Sequence, residues 1–236
     1  MSVKYKRILL KLSGESLMGD NGIPIHPEKL NNYISQIKEL VSMGVEVGIV
    51  IGGGNIFRGV GNDTGIDRIS GDYMGMFATV INSIGLRSAL LNHGVKARVL
   101  TAVTLEPVAE RYSKQRADEA LANKEVVIFS FGTGNPFFTT DTAAALRAVE
   151  IGAEALLKGT RVDGVYSADP EKDPAATRFE SITFDEVIEK GLKVMDITAF
   201  TMCRDNKLPI VVFDINNTGN LKKIISGENI GTLVKN

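Results

Sequence analysis

Cysteine and histidine are nearly missing from this chain. Its single cysteine, Cys203, excludes an internal disulfide and any cysteine-rich metal site. Two histidines, His26 and His93, far apart in sequence, argue against a His-ligated metal centre, so no metal ligand is assigned. They also leave a Ser-His-Asp triad few candidates, and no G-x-S-x-G occurs. A basic excess is lacking too: the formal net charge of −1 argues against a general nucleic-acid binder, although a few well-placed Lys and Arg suffice for a small anion. Long apolar runs are absent. Residues 47–51 and 126–129 are far too short to span a bilayer, and Lys11 interrupts the N-terminal run after Leu10, leaving no signal segment. The expectation is a soluble cytoplasmic protein with no membrane or nucleic-acid partner.

What remains is ordinary globular composition, 44% hydrophobic and 23% charged over 236 residues, enough for one large α/β domain or two small ones. Near-continuous apolar runs at 7–12, 45–51, 97–102, 126–131, 155–158 and 210–215 read as strands covered on both faces. Between them lie helical patterns, such as Leu30, Ile34, Ile37, Leu40 and Val41, or Tyr73, Phe77, Val80, Ile81 and Ile84. Alternating β and α units predict a mostly parallel sheet between two helix layers, a three-layer αβα sandwich. Residues 163–178, rich in Asp, Pro and Gly, read as loop. No linker, low-complexity tract or repeat divides the chain, so a single domain over 1–236 is expected.

Ligands of open α/β sheets bind beyond the carboxyl ends of the strands, and four polar or Gly-rich stretches stand there. In LLKLSGES, 9–16, a lysine inside an apolar strand is costly to bury unless it meets negative charge. Lys11 either reaches a phosphate above the Ser13-Gly14 backbone or snorkels outward at a surface strand end. In GIVIGGGNIFRGVG, 48–61, three residues without side chains precede Arg58, whose planar fork suits phosphate; a loose turn is the plainer account. In FSFGTGNPFFTTDTAAALRA, 129–148, Gly132 and Gly134 flank Thr133. Helix capping explains Thr140 and Asp141, but not two phenylalanines in a loop. In LLKGTRVDGVYSADP, 156–170, Lys158 ends a strand. There Tyr166 could stack on a base and Asp169 accept from a ribose or amine, or both could belong to a plain turn. No G-x-x-x-x-G-K-[ST] is present, and GTGNPF lacks the third glycine of a dinucleotide fingerprint. Local chemistry alone reaches a phosphate-binding α/β protein.

Together these segments resemble the amino acid kinase superfamily and, within it, the bacterial UMP kinase family. The resemblance rests on KLSGES at 11–16, GGGNIFRG at 52–59, GDYMGM at 71–76, TGNPFFTTD at 133–141, TRVDGVYSADP at 160–170 and MDITAFTMCRDNKLPI at 195–210. These follow the family order and span nearly the whole chain. It implies that Lys11, Leu12, Ser13 and Gly14, with Gly54 and Arg58, hold the ATP phosphates, and that Thr160, Tyr166 and Asp169 contact its nucleoside. Gly53 and Asp72, with the loop of Thr133, Gly134, Asn135, Pro136, Phe137, Phe138, Thr139 and Thr140, would hold UMP. The reaction implied is transfer of the γ-phosphoryl of Mg²⁺-ATP to UMP. Lys11, Arg58 and, less directly, Lys158 would neutralise charge, with Asp141 or Asp196 orienting the lysines. The resemblance further implies a homohexamer, UTP inhibition and, in many members, GTP activation. Pro24 in GDNGIP, 19–24, departs from the glycine-rich version of a GTP-response region and argues against that response here. Two rivals are a superfamily kinase acting on an amino-acid carboxylate, for which no second arginine-rich site is evident, and a non-catalytic nucleotide- or oxyanion-binding protein.

Overall fold

The structure, a computed structural model, describes residues 3–19, 21–58 and 65–236. Gly59 of GGGNIFRG, residues 60–61 that follow it, and Asp20 of GDNGIP lie outside the described residues. Nine strands form one sheet: β1 (Arg7–Leu12), β2 (Glu46–Ile51), β3 (Ala97–Thr101), β4 (Glu110–Arg111), β5 (Val126–Ser130), β6 (Ala155–Thr160), β7 (Ser181–Thr183), β8 (Ile210–Asp214) and β9 (Thr232–Lys235). Their order is β4-β3-β5-β2-β1-β6-β8-β9-β7. Pairing is parallel from β4 to β8; β9 runs antiparallel to β8 and carries β7 parallel to itself. All six strands expected from the apolar runs are present. The other three were not expected: β4, β7 and β9 are two to four residues long and lie at or next to an edge, where no buried run builds up. Residues 163–178 contain no helix or strand.

The helices are α1 (Pro27–Ser42), α2 (Arg68–Asn92), α3 (Lys114–Ala122), α4 (Thr140–Glu150), α5 (Phe184–Glu189), α6 (Ile197–Asp205) and α7 (Asn220–Ile225). Alternation along each strand divides the core into two layers. In β1, Ile8, Leu10 and Leu12 pack with Tyr33, Ile37 and Leu40 of α1, Leu86 and Leu90 of α2, and Leu221 of α7. Leu9 faces the other way, with Ala144, Ala145 and Ala148 of α4, Leu121 of α3 and Phe200 of α6. Alanines on α4 let that helix sit close to the sheet. The chain thus has the expected αβα sandwich. By length and composition α2 could cross a membrane, with a mean hydropathy of 1.3, but 44% of that window is buried against the rest of the protein.

Sheet order singles out one crevice. From β1 the chain builds β2, β3 and β5 on one side, then returns past β1 to place β6 and β8 on the other. The carboxyl ends of β1 and β6 therefore flank the point where strand order reverses, the usual ligand crevice of an open α/β sheet.

Candidate functional site at the strand-order switch

Lys11 and Lys158 are paired in register on the adjacent parallel strands β1 and β6. Lys11 shares the parity of Leu9, and Lys158 that of Leu156, so both side chains leave the sheet on the α4 side. Two neighbouring ammonium groups there would repel, and the first turn of α4 supplies the remedy. Asp141 Oδ1 lies 2.7 Å from Lys11 Nζ, and its Oδ2 lies 2.7 Å from Lys158 Nζ. Lys158 also donates to the Val194 carbonyl at 2.6 Å. All three charged side chains are largely buried. Burial works against the Asp141 charge, yet the two lysines outweigh it and hold its carboxyl below the ordinary range. Burial, helped by the like charge of Lys11, lowers the Lys158 pKa despite Asp141.

Helix capping does not account for Asp141. The cap of α4 is Thr139, whose Oγ1 accepts from the N–H groups of Asp141 at 3.0 Å and Thr142 at 3.3 Å. Asp141 is thereby left free to face the lysines. Asp196 acts on Lys158 through its charge rather than by direct contact. It caps α6 by accepting from the Ala199 N–H, and it accepts the hydroxyls of Thr139 at 2.5 Å and Thr142 at 2.9 Å. No ion pair joins it to either lysine among the described residues. Asp196 ties the start of α4 to the start of α6.

The glycine stretches approach each other rather than simply turning. None of Gly52, Gly53 and Gly54 has positive φ. A Cβ on Gly53 would stand 2.7 Å from the Ala78 Cβ and 2.8 Å from the Gly75 carbonyl, so α2 packs directly on that backbone. A Cβ on Gly14 would stand 2.4 Å from the Gly52 carbonyl. Gly54 is different: its nearest neighbour would be the Glu15 carboxylate at 3.4 Å, and it lines cavities on both sides. Arg58 pairs with Glu15 at 2.9 Å across a short 3-10 turn after Ser13, and Ser13 accepts the Ser16 hydroxyl. Leu12 accepts the Gly52 N–H at 2.9 Å, joining the two strand ends.

Three cavities run along this edge. A small one, about 150 Å³, is lined by Gly53, Gly54, Asp72, Phe138, Thr139 and Thr140 among others. It adjoins a cavity of about 880 Å³ containing Lys11, Ser13, Arg58 and Lys158. Lys158 and Thr160 also border a third, about 710 Å³, whose rim carries Tyr166 and Asp169. In the small cavity, Asp72 is already engaged, accepting from the Phe137 N–H at 2.7 Å and pairing with Arg68 at 2.9 Å. Its loop is strained: Phe131, Gly132, Gly134 and Phe137 all have positive φ, at 64°, 56°, 82° and 71°. Such conformations in phenylalanine persist only where surroundings hold them. Phe131 is held by its ring edge against Phe77 and by its N–H donating to Thr79 Oγ1 at 3.0 Å. Phe137 lies under the Arg68 guanidinium, and Thr133 and Asn135 bond to each other beside Pro136. On the outer rim the turn account holds in part. Asp169 accepts from the Glu171 N–H, the Tyr166 hydroxyl donates to Asp163 at 2.6 Å, and Thr160 donates to the Val162 carbonyl.

With this geometry in place, similarity to known proteins can be assigned. The model of the amino acid kinase family matches residues 6–214. This chain belongs to the amino acid kinase family. A uridylate kinase of Phocaeicola vulgatus is 64% identical over 234 residues, covering 99% of both chains. One from Bacteroides thetaiotaomicron matches to the same extent. The crystal structure of a UMP kinase from Bacillus anthracis superposes with a TM-score of 0.95 at 39% identity, covering 98% of this chain and 96% of that one. The amino acid kinase fold thus presents, in this chain, a lysine pair clamped by one aspartate. Several contributors were not anticipated. Glu15 and Thr142 lie inside quoted stretches without an assigned role, Thr79 and the Val194 carbonyl lie outside them, and the fold brings all four to the site.

Proposed function

We propose that this amino acid kinase transfers the γ-phosphoryl group of ATP to UMP, yielding ADP and UDP. The observation that carries this reading is the continuity of the three cavities through Gly54 and Lys158. One end suits a nucleotide acceptor, the other a donor nucleoside, and the lysines stand between. Asp72 is the one charged side chain lining the acceptor cavity among the described residues, and Arg68 already pairs with it at 2.9 Å. The 64% identity to named uridylate kinases supports the same acceptor.

In the transfer, a UMP phosphate oxygen forms the new bond to Pγ in line while the bond from Pγ to the bridging oxygen of ADP breaks. The acceptor is already anionic, so positioning and charge neutralisation suffice and no strong base is needed. Lys11 and Arg58 are assigned to the β- and γ-phosphates, with Lys158 assisting and Asp141 holding both lysines at the correct spacing. Mg²⁺ enters as part of the substrate, ATP. No group of three or more acidic, His or Cys side chains among the described residues forms a protein cage for it, and bound Mg²⁺ commonly keeps phosphate and water ligands. The chain is read as one cytoplasmic domain, and the exposed apolar face of α2 supports self-association, which the family resemblance reads as a homohexamer.

ADP formation from Mg-ATP is measured against UMP, CMP, AMP, glutamate, acetylglutamate and aspartate. Turnover with UMP is expected, and Lys11→Ala is expected to reduce kcat by roughly a hundredfold or more, about 3 kcal/mol, without unfolding the protein. Turnover with an amino acid instead would overturn the acceptor, and an active Lys11→Ala would overturn the clamp. UTP inhibition and the expected lack of GTP activation are read in the same assay.

A further inference from the structure

Beneath the Gly52–Gly54 segment lie two amides that the reaction itself does not use. Asn82, on α2, is fully buried, and Asn55 is nearly so. Asn82 Nδ2 donates to the Gly52 carbonyl at 2.7 Å and to Asn55 Oδ1 at 2.7 Å. Asn55 Nδ2 donates to Asn82 Oδ1 at 3.0 Å and to the Pro24 carbonyl at 2.8 Å. Every N–H of both amides is used. Rotating either amide by 180° would press an amide oxygen against a carbonyl oxygen, so the surroundings set both orientations. Asn55 Oδ1 also abuts Gly14, where a Cβ would come within 2.5 Å of it.

The pair therefore touches the turn after β1, the turn after β2, the segment before α1, and α2 at one point. Burying two amides is costly unless every bond is made, and an apolar pair would fill the same space without that cost. One backbone bond runs to Gly52, after β2, and one to Pro24, before α1; Asn55 Oδ1 also lies against Gly14, after β1, while neither side chain lines the neighbouring cavities. We propose that the Asn55–Asn82 pair is a positioning element for phosphoryl transfer. It sets the separation of the Ser13-Gly14 and Gly52–Gly54 backbones, and hence the alignment of acceptor and donor phosphates. This rests on reading those segments as the phosphate junction.

The test compares Asn55→Ala, Asn82→Ala, the double variant, wild type and Lys11→Ala. It measures kcat and both KM values, with the folded fraction taken from thermal melts at the assay temperature. Misalignment penalises the transition state more than ground-state binding. Each single variant is therefore expected to lose at least about tenfold in kcat per folded molecule while both KM values stay within roughly threefold. The double variant is expected to be no worse than the poorer single, since the amides act as a unit. Unchanged kcat, losses that multiply, or a loss confined to KM would overturn the proposal. Should the alanine variants not fold, Asn55→Asp decides by the same kcat and KM criteria. It still accepts from Asn82 but donates neither to Asn82 Oδ1 nor to the Pro24 carbonyl. Wild type inactive on UMP would remove the kinase reading and this proposal with it. Active wild type with unimpaired asparagine variants would remove only this proposal.

Discussion

Gly53 and Gly54 are neighbours with different reasons to be glycine. A methyl on Gly53 would collide with α2, whereas one on Gly54 meets only the end of a flexible glutamate. Gly53→Ala is therefore expected to destabilise the protein by about 1–3 kcal/mol through overpacking. Gly54→Ala is expected to change stability by less than about 0.5 kcal/mol while lowering kcat, because its open side faces the lysine cavity. Urea unfolding and steady-state rates on the two variants separate these effects. Asp141 makes a second prediction at this scale. Its folded carboxyl pKa lies below the ordinary value because two lysines outweigh its burial. Its stabilising contribution is thus complete above the ordinary carboxylate pKa and disappears as pH falls through the lower folded value. Asp141→Asn leaves two buried lysines facing each other, expected to cost about 3 kcal/mol near neutrality. The stability gap from wild type, followed by urea titration from pH 7 to pH 3, should close only in the acidic limb. A gap independent of pH would remove the charge from the explanation.

At the scale of elements, β9 does more than join β8 to the edge strand β7. Thr232, fully buried, accepts the Val165 N–H at 2.9 Å and donates to the Phe179 carbonyl, pinning both ends of the loop that carries Tyr166 and Asp169. Arg178 adds a bond to the Gly231 carbonyl at 2.8 Å. Thr232→Val removes the hydroxyl at nearly constant shape and leaves the Val165 N–H unpaired. The expected outcome is a several-fold rise in KM for ATP with little change in KM for UMP, read from initial rates with each substrate varied. Equal rises for both substrates would point to general loosening. This dependence is not visible in the chain itself: a four-residue strand at the sheet margin has no buried run, and a lone threonine carries no motif.

For the whole molecule, the informative surface is the outer side of α2. Ile69, Tyr73, Phe77, Ile81 and Ile84 recur at helical spacing and stay exposed, Phe77 and Ile81 by 50% and 51%. Core packing accounts for residues such as Val80, Leu86 and Leu90, and Tyr73 and Phe77 touch Phe131, yet the stripe stays largely exposed. A second copy of the chain would cover it. Phe77→Asp with Ile81→Asp is expected to shift the protein to a smaller species in light scattering, with α-helix content retained in circular dichroism. An unchanged mass would show that this face makes no assembly contact.

Near-continuous apolar runs alternating with helical patterns, strand-end glycines and two lysines within apolar runs were enough to predict an αβα sandwich with a candidate anion site at its carboxyl edge. These features are local, because burial on both faces and the need to neutralise a buried lysine leave their mark within a few residues. The shared register of Lys11 and Lys158, the placing of Asp141 between them, and the diversion of Asp196 to Thr139 and Thr142 depended on which strands became neighbours. So did the reason for Gly53. Sequence lists which groups are available, but strand order and helix packing bring residues more than a hundred positions apart within ångströms. An ion pair or a steric contact is decided only at that distance.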